Sequence, residues 1–335
     1  MAEIQTPDKK KSWLKPSLFR FIGLILYGVV LLKLDLREIL VTLSGVRIVF
    51  LPAIFVFYYF TLAVKSLRWM AFFERQNLHL SFGKTFQVYL YSAFLGLATV
   101  GQAIDLSKAY LLKKQAVAKS RARGDALSLG QAGMSVFLER LMELGIYLFA
   151  GTAGIIFLRG YSSGDSLELS LGMFIIFYLV AAYLFLFHSR SLLKLSGKLG
   201  VGKDGVTGWF FKNLKDFLEE IDLFPKKDLA RPLLLTFVSY LTQSFIVLLL
   251  AMMLKIEITY LQALLLYPLI FLANILPVTV GGFGTRDLVL YYWFSHSGVP
   301  AESLVAFSIM YFSVDLLALA VPVPFISFSQ KTPKE

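Results

Sequence analysis

Residues 82–123 read FGKTFQVYLYSAFLGLATVGQAIDLSKAYLLKKQAVAKSRAR, an apolar run from Phe82 to Val100 followed by six cations at Lys108, Lys113, Lys114, Lys119, Arg121 and Arg123. By length the run is a candidate membrane crossing, since about 20 apolar residues cover the roughly 30 Å of bilayer hydrocarbon. Charge argues against it. Short cytoplasmic loops collect Lys and Arg, and the N-terminal flank, with Lys9, Lys10, Lys11, Lys15 and Arg20, belongs on that side. A first segment at Leu18 to Leu34 then exits and a second at Ile48 to Val64 returns, which puts Lys65, Arg68 and Arg75 inside. A full crossing at 82–100 would leave all six later cations outside. The conflict disappears if Phe82 to about Leu112 is a re-entrant hairpin that dips in from the cytoplasm and returns to it. Broken backbone at bilayer depth is tolerated only inside protein or along a watery cavity, so the hairpin tip belongs within a helix bundle.

The rest of the chain has the composition this requires. Of its 335 residues 57% are hydrophobic and 16% charged, and the mean hydropathy is +0.69, outside the range of ordinary water-soluble domains. With no cysteine, disulfides, thiolate nucleophiles and Cys-based metal sites are excluded. His79, His188 and His296 are far apart and in no ligand spacing, so no metal or cofactor is expected. The net charge of +11 sits in short segments beside apolar stretches, which reads as topology and anionic lipid and not as a nucleic-acid surface. The basic N-terminus runs into apolar sequence with no small-residue cleavage site, as expected of an uncleaved first span.

Further segments at 126–158, 169–187, 232–254, 261–278 and 304–328 complete the pass. The segment 126–158 exits and 169–187 returns, leaving a cytoplasmic loop from His188 to Arg231 with nine Lys or Arg. In that loop GWFFKNLKDFLEEIDLF sets Trp209, Phe210, Phe217, Ile221 and Phe224 near one helical face, the pattern of an interfacial helix. The segment 232–254 exits again. Leu261 to about Phe294 reads as a second hairpin, entering from outside and breaking at Gly281, Gly282 and Gly284, before the last span returns a tail with Lys331 and Lys334 to the cytoplasm. The expected fold is therefore an all-α polytopic bundle of about six full spans plus two re-entrant hairpins. It forms one membrane domain over 1–335, with a cytoplasmic flank at 1–17 and tail at 329–335. Hairpins entering from opposite faces are the arrangement of inverted repeats. Their tips share Thr-Val-Gly followed by an Asp: Thr99 to Gly101 with Asp105, and Thr279 to Gly281 with Asp287.

Three motifs carry polar chemistry. In LPVTVGGFGTRD, Leu276 to Asp287, a proline and three glycines precede Arg286 and Asp287. Glycine permits positive φ, and a helix broken there frees N–H groups that can face an anion; the plainer reading is a surface loop ending a span. In SVFLERLMELGIYLF, Glu139, Arg140 and Glu143 interrupt an apolar helix. Charges at that depth must face the bundle interior. Arg140 can pair with Glu143 at i, i+3, which leaves a surplus carboxylate for a ligand or a proton, or else the cluster neutralises itself and only orients helices. In GQAIDLSKAY, Asp105 and Lys108 stand one turn apart, where Lys108 can hold a phosphate as a point charge or serve as a cytoplasmic lysine. Lys65, Arg68 and Trp69 fit an interfacial anchor, and Asp315, a lone carboxylate in the last span, reads as a proton relay or a hydrogen-bonded helix contact.

Together these motifs resemble the transmembrane region of the lysylphosphatidylglycerol synthase family, flippase-like membrane proteins, over nearly the whole chain. Glu139, Arg140 and Leu141 match its central Glu-Arg-Leu helix; Pro277, Gly281, Gly282, Gly284 and Arg286 match its late tip; Arg68 and Trp69 look like its Arg-Trp pair. The sequence departs at Asp287, where Glu is usual, and in the early tip, which has Val100 for Pro, Ile104 for Gly and Lys108 for Arg while keeping Asp105. The resemblance implies movement of a lipid, or a lipid-linked polar head, between leaflets of the cytoplasmic membrane. Members that make aminoacylated lipid carry a separate soluble catalytic domain, and none is expected within residues 1–335.

The leading expectation is a lipid transporter in which Arg140, Arg286 and Lys108 contact an anionic phosphate head. Glu139, Glu143, Asp105 and Asp287 would orient those cations or carry protons, with Gly281, Gly282, Gly284 and Arg68 completing the site. An intramembrane transferase using the same acids as general base is the alternative, although no nucleotide-binding loop or metal-binding acid pair supports it. A third reading is a partner subunit, or homo-oligomer, that scaffolds an envelope synthase.

Overall fold

The computed structural model describes residues 35–76, 78–97, 104–115, 117–118, 128–159, 166–200, 205–275, 282–295 and 297–326. Among these it is all helical apart from one two-residue ladder. The helices are α1 (Leu36–Ser44), α2 (Leu51–Phe73), α3 (Phe82–Leu97), α4 (Ile104–Gln115), α5 (Leu129–Arg159), α6 (Ser166–Phe187), α7 (Ser189–Gly200), α8 (Gly205–Leu223), α9 (Ala230–Met253), α10 (Tyr260–Ile275), α11 (Thr285–Phe294) and α12 (Ala301–Ala320). Four helical stretches are long and apolar enough to cross a membrane: Ile48–Gln76, Leu129–Leu158, Lys227–Met253 and Ala301–Phe325. They coincide with four of the six expected spans. The segment 169–187 falls in α6, whose described apolar part is Ile175–Phe187, and the segment 18–34 lies outside the described residues.

The region that opened the sequence reading has a simple geometry. Leu78 and His79 before α3 pair antiparallel with Val117 and Ala118 after α4, so the ladder holds the two ends of the α3–α4 unit side by side. The unit leaves and returns to one place. At about 1.5 Å per residue, α3 and α4 extend roughly 24 and 18 Å, each short of a full crossing. The tip, with Val100 and Gly101, lies outside the described residues.

The bundle is built around α9, which packs against α2 and α10, while α5 packs against α4, α8 and α10. Prolines in two of these helices leave carbonyls without their usual partners, because a proline has no N–H to donate four residues back. Pro268 frees Leu264 of α10, and the Tyr240 hydroxyl of α9 donates to that carbonyl at 2.8 Å. Pro322, just past α12, frees Ala318, whose carbonyl accepts from the Tyr59 hydroxyl of α2 at 2.9 Å. Both bonds replace a lost turn of ladder with a tie between helices, as an apolar solvent demands. The outward faces are correspondingly apolar: Phe177 and Phe187 of α6, Leu234 of α9 and Val321 after α12 are each more than half exposed.

Two helices escaped the hydropathy reading because they are short and amphipathic. The α1 helix is capped by Asp35, which accepts from the Arg37 N–H at 2.8 Å, and rests on α12. The α7 helix packs against α8, where Arg190 donates to both oxygens of Asp222, at 3.1 and 2.9 Å; these bonds raise the pKa of the exposed guanidinium above its ordinary value. The expected single apolar face of α8 is divided. Trp209 and Phe210 are exposed, whereas Ile221, with Phe224 just past the helix, joins Phe72, Met134 and Leu138 in a second core against α2 and α5.

Candidate functional site

The side chains that interrupt the apolar helices converge. On α2, Thr61, Lys65 and Arg68 recur at helical spacing and point at α5 and α9. The Arg68 guanidinium is fully buried: Nη2 donates to Glu139 and, at 2.7 Å, to Glu143, while Nη1 reaches Thr236 of α9 at 3.2 Å. On α4, Lys108 is equally buried; its Nζ donates to the second Glu139 oxygen and lies 4.5 Å from the centre of the Tyr89 ring. From α3 the Tyr89 hydroxyl donates to Glu139 at 2.8 Å. The predicted pairing of Arg140 with Glu143 is present at 2.8 Å, and Lys65 stands 3.9 Å from Glu143. Neighbouring Trp69 is pinned by its indole N–H to Ser135 at 3.1 Å.

The carboxylate left over within α5 is taken up by neighbouring helices. Pairing within α5 alone leaves a carboxylate over, but α2 and α4 bring in three more cations. Among the described residues, Lys65, Arg68, Lys108 and Arg140 surround two carboxylates, Glu139 and Glu143. Lys65 and Arg68 read as an interfacial anchor from sequence and are instead interior. The signal that could have found them is their spacing with Thr61 on one helical face.

The late motif forms a second cluster. Gly282 and Gly284 have φ of 78° and 91°, so the helix break is where the glycines put it. The backbone it frees is turned inward: the Gly284 N–H, at the N-cap of α11, donates to the Asp287 carboxylate at 2.7 Å. Asp287 thus serves its own helix. Arg286, nearly fully buried, donates from Nε and Nη2 to the Ser308 hydroxyl and carbonyl, both at 2.8 Å, and its guanidinium lies 4.9 Å from the Tyr311 ring centre. Gly281 and the Asp105 side chain lie outside the described residues.

A cavity of about 130 Å³ lies between the clusters, walled among others by Tyr58, Lys65, Arg140, Glu143, Asn274 and Asp315. Lys65 and Arg140 keep 12% and 18% of their side chains accessible, while Arg68 and Lys108 behind them have none. Asp315 faces Tyr58, Arg286 and Lys65. Among the described residues no group of His, Asp and Glu is arranged to hold a metal.

A cavity with charged walls between helices of an apolar bundle fits the motifs on which the resemblance rests, and the comparison with protein families decides it: the model described as lysylphosphatidylglycerol synthase TM region matches residues 18–322. The chain belongs to the lysylphosphatidylglycerol synthase transmembrane-region family. None of the curated proteins compared with it matches. As a member of this family it is an integral membrane protein, and the Glu139-Arg140-Leu141 motif of the family reading contributes both Glu139, at the centre of the buried network, and Arg140, on the cavity wall.

Proposed function

We propose that this protein moves a lipid, or a lipid-linked polar head group, between the leaflets of the cytoplasmic membrane, holding an anionic head in the cavity at Lys65 and Arg140. The observation that carries this reading is a cavity between apolar helices with two partly accessible cations, Lys65 and Arg140, on its wall. Charges at bilayer depth are costly to maintain, and cations left open to a cavity there are placed to meet an anion. Arg68 and Lys108, fully enclosed, hold Glu139 and Glu143 in place, and the partly accessible Lys65 and Arg140 meet the head group. Arg286 and Asp287 act from behind the lining: Arg286 lies against Tyr311, which lines the cavity, and Asp287 fixes the break at Gly284. The hydrocarbon tail stays in the surrounding lipid.

The topology follows the charge argument. Both termini are cytoplasmic, six segments cross, and α3–α4 and α10–α11 are re-entrant pairs from opposite faces. The ladder joining residues 78–79 to 117–118 supports this for the first pair, and the Gly282–Gly284 break for the second.

Reconstituted liposomes with a head-group-accessibility assay test the function over several anionic lipids. The expected result is faster exposure of inner-leaflet lipid than in empty liposomes, slowed at least tenfold by Arg140→Ala. Rates equal to those of empty liposomes for every lipid overturn it. A new lipid mass on incubation with cell extract favours the transferase reading in its place.

A further inference from the structure

The cavity wall carries two cations, Lys65 and Arg140, and two carboxylates, Glu143 of α5 and Asp315 of α12. We propose that Asp315 takes up one proton each time the cavity binds an anionic head group, which makes lipid movement proton-coupled. This rests on the head-group reading above.

The groups facing Asp315 leave it in a different position from the other acids. From α2 it meets Tyr58 and Lys65, from α11 Arg286, and on its own helix Tyr311. Across the cavity stand Arg140 and Glu143 of α5, Tyr89 of α3 and Tyr267 of α10; α9 adds the neutral Gln243, and α1, which rests on α12, has Ile39 as its buried residue. Neutralising Glu143 would strip a partner from Arg68, Arg140 and Lys65 together, and neutralising Glu139 would do so for Arg68 and Lys108. Neutralising Asp315 leaves Arg286 on its two Ser308 bonds and Lys65 beside Glu143. Asp315 is therefore the carboxylate of this site whose charge can be removed with the network intact.

An anion entering a space of this size lies close to every wall, and its repulsion with the Asp315 carboxylate is strong where water is scarce. A proton taken from water onto Asp315 removes the repulsion and makes the acid a donor. When the head group leaves, the carboxylate re-forms and the proton returns to water. By linkage, the anion favours the protonated form as much as protonation favours the anion. Affinity then falls as pH rises, by up to about tenfold per pH unit for one coupled proton.

Calorimetry on the detergent-solubilised protein tests this with short-chain phosphatidylglycerol, titrated in two buffers of different ionisation enthalpy from about pH 5.5 to 8. About one proton is taken up per lipid bound, and Asp315→Asn binds with pH-independent affinity and no uptake. Binding by the unmodified protein without proton uptake overturns the inference whether or not the variant folds, as does uptake that survives in a folded Asp315→Asn. Absence of binding at every pH by folded protein overturns the head-group reading itself, a distinguishable failure.

Discussion

Arg68 of α2 and Glu143 of α5, 75 residues apart, meet through a 2.7 Å hydrogen bond with almost no solvent access to either side chain. The bond ties two of the long apolar helices by their charged residues, at the point where α3 and α4 also deliver Tyr89 and Lys108. Such a cluster is costly to form and more costly to break, because removing one partner leaves the others charged in a poor solvent.

Arg68→Ala is therefore expected to destabilise the protein by about 3–5 kcal/mol, the range for stranding a buried partner. Arg140→Ala, whose side chain keeps 18% accessibility, is expected to cost less than about 1.5 kcal/mol while removing the cavity cation. Thermal unfolding in detergent separates the two. Equal losses would contradict the assignment of Arg68 to the framework and Arg140 to the cavity wall.

Since the chain has no cysteine, single introduced thiols report topology without background. Lys113→Cys and Lys212→Cys, at exposed positions, are expected to react with a membrane-impermeant maleimide from the cytoplasmic side. Glu257→Cys, exposed beyond the far end of α9, should react only from the opposite side. Labelling of position 113 together with 257 would mean that α3–α4 crosses the membrane.

Tyr240→Phe should cost about 1 kcal/mol by leaving the Leu264 carbonyl without its hydroxyl donor. Pro268→Ala restores the N–H that this carbonyl lacks, so the same tyrosine change made on that background should cost little. A double-mutant cycle on unfolding free energy measures the coupling. Additive losses would show that Tyr240 does not serve the carbonyl freed by Pro268.

How far the sequence discloses this molecule varies with the physics involved. Glu139, Arg140 and Glu143 stand out because charge within an apolar run has one explanation, an inward face, and the break at Gly282 and Gly284 stands out because glycine runs between apolar segments seldom do anything else. Lys65 and Arg68 are harder to read: a cation near the end of an apolar run is the mark of an interface anchor, and only the packing of α2 on α5 and α9 puts it inside. Tyr58 and Tyr89 look like ordinary aromatic residues until their hydroxyls find a partner. The α1 and α7 helices are too short and too polar for a hydropathy window. The pairing of Glu139 and Glu143 with Arg68 and Lys108 depends on which helices meet and is beyond any single-segment reading.

The break before α11 offers the sharpest steric test. At Gly282, φ is 78°, and a Cβ there would run into the Asn274 side-chain oxygen at the end of α10. At Gly298, φ is 65°, but a Cβ would meet nothing within 4 Å. Both alanine substitutions carry the left-handed backbone strain, about 1 kcal/mol; only Gly282→Ala adds a clash, in a tightly packed place where overpacking costs about 1–3 kcal/mol more. Gly282→Ala should therefore lower stability by more than Gly298→Ala, and trimming Asn274 to Ala in the same chain should recover the difference while leaving the backbone strain. Unfolding measurements on the two single variants and the Gly282→Ala/Asn274→Ala pair decide it. If the pair is no more stable than Gly282→Ala alone, the break is not held by contact with α10 and rests on the Asp287 cap.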